Sequence, residues 1–257
     1  MDVWWQRLVV ALAAVYVLGL GWAMMNVEYE YWGAFVLIPI LGLISVPMLR
    51  RTFEDDWLYR VAVTALAAKL VGVFARYYIV YEVYGSGDAT GYHFAGAGLA
   101  REIRGGRASL FELIPEGIGT AFLEHATGTI YFFIGSSRLA GFVFFGWMAF
   151  WGALWFVRAA MLAVPRLADR RYMVLVMFAP STLYWPSSIG KEAWLTFFLG
   201  LASWGGAHLL TGRRSLGTVV MTVVGLAFTA FVRPHFGAIW VGALVVALVF
   251  GLLTGSA

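Results

Sequence analysis

The chain contains no cysteine among its 257 residues. Disulfides, thiolate metal sites and cysteine nucleophiles are therefore excluded. Charge is also scarce, because Asp, Glu, Lys and Arg together make up 12% of the residues, about half of their share in an average soluble domain. The protein therefore lacks the charged surface that keeps a domain of this size in water.

Several motifs of known chemistry are absent as well. The sequence has no G-x-x-x-x-G-K-[ST] loop, no H-E-x-x-H pair and no G-x-S-x-G turn. ATP-driven transport, zinc proteolysis and α/β-hydrolase chemistry therefore lack support. The chain also has no extended basic stretch, so we predict no nucleic-acid partner.

Apolar residues, in contrast, make up 61% of the chain. Several stretches of about twenty residues are almost free of charge, and each can cross a hydrocarbon core of ~30 Å. The sequence therefore predicts an all-α, polytopic membrane helix bundle that forms a single transmembrane domain over residues 1–257, with the first span retained. About eight spans are predicted, at residues 5–25, 31–49, 57–81, 138–163, 172–188, 191–210, 216–232 and 236–255.

The basic residues predict how these spans are oriented. Ten of the 18 Lys and Arg residues lie on one side in the predicted span order, at or near connections that include LRRTFEDDWLYR, VPRLADRR and TGRR. Because cytoplasmic loops carry an excess of Lys and Arg, this side is predicted to be cytoplasmic. Both termini are predicted on the same side, since an even number of spans returns the chain to where it started.

The connection over residues 83–137 differs from the others. It is about 55 residues long, far beyond the usual connection length, and the topology places it on the external side. DATGYHFAGAGLAREIRGG has a helical pattern, with Asp88 as the predicted N-cap and Gly105–Gly106 as the predicted end. GIGTAFLEHATGTIYFFIG is apolar but carries Glu124 and His125. Both stretches are therefore predicted to be surface-lying or partly inserted helices.

Several polar residues near the external side have two interpretations each. Asp88 either caps a helix or acts as a catalytic carboxylate. Tyr92 and His93 follow one turn later and are either interface anchors or ligands. Arg76 lies about two turns after Lys69 on one face of the third span, where a basic residue tends to face a partner or a cavity. Arg76 either snorkels outward or binds a ligand, and Lys69 either pairs with an acid or serves a site.

Two helix junctions carry cations. WPSSIGKEAW places Lys191 and Glu192 at a helix start, and VRPH places Arg233 at a helix end that Pro234 enforces. Cations at external helix junctions suit an anionic ligand such as a lipid phosphate, and the amide groups of a helix start add to this preference. The alternative is a pair of ordinary turns at the membrane surface.

These stretches resemble those of a known class of enzymes. GDATGYHFAGAGLA resembles the Asp-x-x-x-Tyr-His stretch in the first large external loop of bacterial GT-C-type glycosyltransferases. PSTLYWPSSIGKEA is similar to the Pro-Ser…Trp-x-Ser…Lys-Glu stretch of polytopic polysaccharide polymerases, and VRPH recurs in the same kind of protein. The resemblance covers residues 85–105, 178–195 and 229–237.

The resemblance implies a hexosyl- or pentosyltransferase of the bacterial plasma membrane. Such an enzyme moves a sugar from a polyprenyl-phosphate lipid to a saccharide acceptor in cell-envelope polysaccharide or glycolipid synthesis. The resemblance implies Asp88 as the general base and His93, His235 and Glu192 as groups that orient the substrate or accept protons. It implies Lys191, Arg233 and Arg76 as ligands of the donor phosphate. Tyr92 is a further residue expected to bind the substrate.

One feature of such a site, a groove for the lipid, follows from its chemistry, and another, the need for a metal ion, stays open. A lipid donor needs an apolar groove that opens to the bilayer, and the 83–137 segment is expected to supply one wall. Dependence on Mg²⁺ or Mn²⁺ stays open, because Asp88, Glu124 and His125 alone do not define a metal site.

Two other functions compete with the glycosyltransferase. A transporter or lipid flippase for an anionic substrate would use Lys69 and Arg76 together with helices broken near Pro180, Pro186 and Pro234. A non-catalytic membrane subunit would instead dock a protein partner through residues 83–137.

Overall fold

The computed structural model describes residues 3–109, 117–166 and 169–254. All regular secondary structure in these residues is helical, which confirms the predicted all-α class. The helices are α1 Val3–Asn26, α2 Tyr29–Thr52, α3 Asp56–Tyr78 with a π-helical turn Ile79–Val83, α4 Asp88–Arg104, α5 Thr120–Ile134, α6 Arg138–Ala163, α7 Arg170–Phe178, α8 Pro180–Tyr184, α9 Lys191–Leu210, α10 Leu216–Val232 and α11 Pro234–Thr254. Residues 110–116 of the predicted external segment lie outside the described residues.

Four of the described helices are long and apolar enough to cross a membrane, namely α2, α3 with its π-helical turn, α6 and α9. Shorter apolar stretches lie in α1, α10 and α11. Each of these helices coincides with one of the predicted apolar stretches. The chain is therefore a helical membrane protein.

The span predicted over residues 172–188 is not one continuous helix. α7 ends at Phe178, Ala179 is extended, and the single turn of α8 begins at Pro180. Proline has no backbone N–H to continue the helix, and its ring disfavours the helical conformation of the residue before it. The chain therefore forms two short helices where the apolar composition predicts one.

α6 is the centre of the bundle and is buried along most of its length. It crosses α9 at Gly152 and Gly200, where a Cβ on Gly152 would lie 2.1 Å from the carbonyl oxygen of Thr196. A Cβ on Gly200 would lie 2.2 Å from the carbonyl oxygen of Gly152. The two backbones are therefore in contact, as small residues permit between membrane helices.

α4 and α5 pack against each other and meet the bundle at the start of α5. The N–H of Gly119 donates a 2.7 Å hydrogen bond to the carbonyl of Phe231 at the end of α10. Phe122 stacks on Phe231 at 5.0 Å and meets Trp194 of α9 edge-on at 5.4 Å. These aromatic contacts seat the α4–α5 pair beside the first turn of α9.

The ends of α4 are close to the predicted ones, with one correction. The helix ends at Arg104, and Gly105–Gly106 terminates it as predicted, with Gly106 at a positive φ of 69°. The prediction that Asp88 is the N-cap is wrong by one residue. Gly87 holds that position, because its backbone is extended and its carbonyl accepts the first hydrogen bond, from the N–H of Thr90 at 2.8 Å. Asp88 is thus the first helical residue.

Candidate functional site

A polar cavity of about 240 Å³ lies where α4 and α9 begin. Backbone and side chains of α3, α4, the α8–α9 connection and the α10–α11 junction line it. Six of the residues predicted for a site line this cavity: Arg76, Asp88, Tyr92, Lys191, Glu192 and Arg233. Stretches that are far apart in the sequence are therefore brought together at one place.

Helix starts give the cavity a positive backbone environment. α4 begins at Asp88 and α9 at Lys191, and both residues line the cavity. The first N–H groups of a helix have no partner within the helix and carry the positive end of its dipole. Two such ends therefore meet at the cavity, which favours an anion there.

The side chains add to this positive charge. Three cations, Arg76, Lys191 and Arg233, and two carboxylates, Asp88 and Glu192, line the cavity. Arg233 and Glu192 form an ion pair of 3.3 Å and are both partly exposed, so this pair is weak. The Nζ of Lys191 donates a 2.9 Å hydrogen bond to Thr120 Oγ1. The cations therefore exceed the carboxylates, and one cation is held by a neutral hydroxyl.

Arg76 packs its guanidinium against two adjacent aromatic rings, which we call the aromatic clamp. Its guanidinium lies 4.7 Å from the ring centre of Tyr184 and 4.8 Å from that of Trp185. Its Nε is buried and has no hydrogen-bond partner among the described residues. The rings fix the guanidinium by cation–π contact and leave its donors available to the cavity that it lines.

The aromatic clamp depends on the close approach of α8 to α3. A Cβ on Gly72 would lie 2.3 Å from the carbonyl oxygen of Leu183, so only glycine permits this distance. Lys69, one turn away on α3, donates a 2.7 Å hydrogen bond from Nζ to the carbonyl of Thr182 and is 3% exposed. No acid pairs with Lys69 in the part of the chain that the structure describes. Lys69 instead binds α8, which carries the first ring of the clamp.

Asp88 and Tyr92 face the cavity from one side of α4, as their spacing predicts. The Asp88 carboxylate is exposed at the cavity, whereas Tyr92 is buried. Burial raises the pKa of the Tyr92 hydroxyl, with the nearby carboxylate of Asp88 acting in the same direction. Tyr92 is therefore a neutral hydroxyl beside an accessible carboxylate.

The two predicted histidines do not line the cavity. His93 is buried, and its Nδ1 forms a 2.8 Å hydrogen bond with the hydroxyl of Tyr131 on α5. Burial, and to a smaller extent Arg138, lowers the pKa of His93 to about 4. His235 is exposed, and its ring packs against Phe236. The predicted roles of both histidines at the site are thus not supported by their positions.

An apolar groove of about 490 Å³ adjoins the polar cavity and shares Trp185, Glu192 and Arg233 with it. Its walls come from α6, α7, α8, α9 and the start of α11, through residues such as Phe156 and Leu199. We call it the upper groove. A groove beside the site is expected from the sequence, but the described residues of the 83–137 segment do not supply the expected wall, since none of them lines it. Residues on both sides of the break at Pro180 line this space, Val176 of α7 and Thr182 of α8 among them.

Sequence reasoning misses several residues of the site. Thr120 has no motif that marks it, and it joins the site through its contacts with Lys191 and Tyr92. Tyr184 has no predicted role, although it stands in the PSTLYWPSSIGKEA stretch, and it joins the site through its contact with Arg76. Trp185 stands in a stretch that the sequence singles out, but its position over Arg76 depends on the separate turn of α8. Among the described residues, no group of three His, Asp or Glu side chains is placed to hold a metal ion.

The fold and the cavity define a helical membrane protein with a charged site at two helix starts and an apolar groove beside it. No protein-family model, curated protein or solved structure matches the chain.

Proposed function

We propose that the protein is a membrane glycosyltransferase that uses a polyprenyl-phosphate-linked sugar as donor. The observation that carries this proposal is the junction of the polar cavity with the upper groove. An anionic head group suits the cations and helix starts of the cavity, and an apolar tail suits the groove. A lipid phosphate has both parts in one molecule.

The proposed reaction is a direct displacement at the anomeric carbon of the donor sugar. Asp88 takes the proton of the acceptor hydroxyl, whose oxygen forms the new glycosidic bond as the bond to the phosphate oxygen breaks. The electron pair leaves with the lipid phosphate, whose charge is stabilised by Lys191, Arg233 and Arg76. Glu192 orients Arg233, and Tyr92 donates a hydrogen bond to the bound sugar. No proton transfer is assigned to His93 or His235.

The proposed setting is the plasma membrane of a bacterium, where the chain crosses the bilayer about eight times with both termini in the cytoplasm. The excess of Lys and Arg in the opposite connections supports this orientation. The cavity would then face outward, where the cell-envelope saccharide acceptor and the donor head group meet. The α4–α5 pair would lie at the outer surface of the plasma membrane.

Purified protein, assayed with polyprenyl-phosphate sugars and a saccharide acceptor, tests the proposal. Asp88→Asn should lower transfer by roughly 10²–10⁴-fold, the contribution of a general base, while donor binding stays near the wild-type value. Glu102→Gln is the matched control, because Glu102 is an exposed carboxylate on the same helix. Equal transfer by Asp88→Asn and wild type would exclude Asp88 as the base.

A lipid flippase is the second candidate, and the apolar groove that begins at the cavity favours it. In proteoliposomes, a flippase would move the lipid phosphate between leaflets at the same rate in Asp88→Asn and wild type, with no sugar transfer in either. Sugar transfer that depends on Asp88 selects the enzyme.

A further inference from the structure

A second apolar groove continues from the upper groove. It has a volume of about 300 Å³ and lies between α6, α9 and α11. Phe156 and Tyr172 line both grooves, so the two spaces adjoin. We call this second space, which ends near Leu210 and Ala247, the lower groove.

One face of α9 forms the floor of both grooves. Its lining residues recur every three or four positions, which places them on a single stripe of the helix: Glu192, Leu195, Leu199, Ser203, Gly206 and Leu210. At about 1.5 Å per residue, this stripe is ~27 Å long. The grooves therefore extend from the polar cavity through nearly the whole hydrocarbon thickness of a bilayer, which is ~30 Å.

This length separates two kinds of lipid tail. One leaflet is ~15 Å deep, half of the hydrocarbon core, so the acyl chain of an ordinary phospholipid whose head lies in the cavity would end within the upper groove. A long isoprenoid tail is the kind of chain that would continue into the lower groove.

The lower groove is also lined in a way that suits hydrocarbon. Two of its small side chains, Ala243 and Ala247 on α11, are exposed and leave room beside α9. Two of its polar groups pair with each other, because the indole N–H of Trp240 donates a 2.9 Å hydrogen bond to Ser203 Oγ. The indole therefore needs no hydrogen-bond acceptor from a ligand.

We propose that the lower groove binds the distal isoprene units of a long-chain polyprenyl phosphate whose head group lies in the polar cavity. The proposal rests on the proposed function for the identity of the head group, but it concerns binding and not transfer. It makes the protein selective for the length of the lipid tail. The upper groove alone would hold a short isoprenoid.

Photo-crosslinking to the full-length protein in lipid nanodiscs tests this proposal. The probes are a long-chain polyprenyl phosphate and farnesyl phosphate, each with a diazirine at the distal end of the tail. We expect the long probe to label lower-groove peptides around Trp240 and Ala243, and the farnesyl probe to label upper-groove peptides around Leu195. The proposal would be overturned if both probes label the lower groove, or if the long probe labels neither groove. So would competition by phosphatidic acid that equals competition by unlabelled polyprenyl phosphate.

A groove-filling variant provides the second measurement. Ala243→Phe should weaken binding of the long-chain polyprenyl phosphate about tenfold, the ratio for about two methylene groups that lose their burial, and should leave farnesyl phosphate binding unchanged. Ala238→Phe is the control, since Ala238 is exposed on the same helix and lines neither groove. Unchanged long-chain binding in Ala243→Phe would refute the proposal. If the protein passes both tests but transfers no sugar, the proposed enzyme activity is refuted, and the proposed binding of the lipid tail in the lower groove stands.

Discussion

The ammonium of Lys191 donates a 2.9 Å hydrogen bond to the hydroxyl of Thr120. Lys191 is the first residue of α9 and Thr120 the first residue of α5, so the bond joins the starts of two helices. It also holds the ammonium of a residue that lines the polar cavity without neutralising it, because a hydroxyl carries no charge. A ligand phosphate can therefore replace Thr120 as the acceptor.

This geometry predicts different effects for the two partners. Lys191→Met removes the cation and should weaken binding of polyprenyl phosphate by about tenfold or more, the scale of a charge-assisted hydrogen bond. Thr120→Val removes only the hydroxyl, and binding should stay within about threefold of wild type, since the ammonium is retained. Titration calorimetry in detergent measures both. An equal loss of binding in the two variants would show that binding depends on the hydrogen bond between Lys191 and Thr120 and not on the charge of Lys191.

Lys69 is predicted to stabilise the turn that holds the aromatic clamp. Lys69→Met leaves the partly buried carbonyl of Thr182 without its donor, at a cost of about 1 kcal/mol. Hydrogen exchange should therefore become faster at the backbone amides of 182–185, and thermal stability should fall. Leu70→Met, a substitution to the same residue at the next position, should leave exchange unchanged. Identical exchange in Lys69→Met and wild type would contradict this role.

His93 predicts a dependence of stability on pH. Its pKa is lowered from 6.5 to about 4 in the folded protein, chiefly by burial. The unfolded chain therefore binds the proton more tightly, so stability is full above pH 6.5 and falls as the pH drops toward 4, by up to about 3 kcal/mol.

Melting temperatures measured across this pH range test the dependence. His93→Gln should flatten the decline, whereas His235→Gln, a change at an exposed histidine, should leave it as in wild type. A decline that persists unaltered in His93→Gln would assign it to another group.

Features that depend on neighbouring residues could be predicted from the sequence. Proline and glycine act on the backbone within a few residues, so the helix starts at Lys191 and Pro234 and the end of α4 at Gly105 follow from composition. The helical spacing of Asp88 and Tyr92 likewise places both on one face of α4. The sequence marks all five charged residues that line the cavity.

Features that depend on packing could not be predicted. Nothing near Thr120 indicates that α5 begins beside α9, and nothing near Arg76 indicates two rings over its guanidinium. His93 belongs to the Asp-x-x-x-Tyr-His stretch, yet its side chain contacts Tyr131 of α5 and not the cavity. The face of α4 that packs against α5 is decided by the pairing of the two helices, which the stretch itself does not encode. The grooves arise from the mutual arrangement of α6, α9 and α11, which no single stretch of sequence encodes.

The docking of Phe122 on Phe231 and Trp194 has a consequence for the cavity. Asp88 belongs to the α4–α5 pair, whereas Lys191 and Arg233 belong to helices of the bundle. The spacing between the carboxylate and the cations is therefore fixed in part by non-covalent contacts between the α4–α5 pair and the bundle, including the hydrogen bond from Gly119 to Phe231. A small shift of the α4–α5 pair along this contact would widen or narrow the distance between the Asp88 carboxylate and the two cations while every helix stays intact.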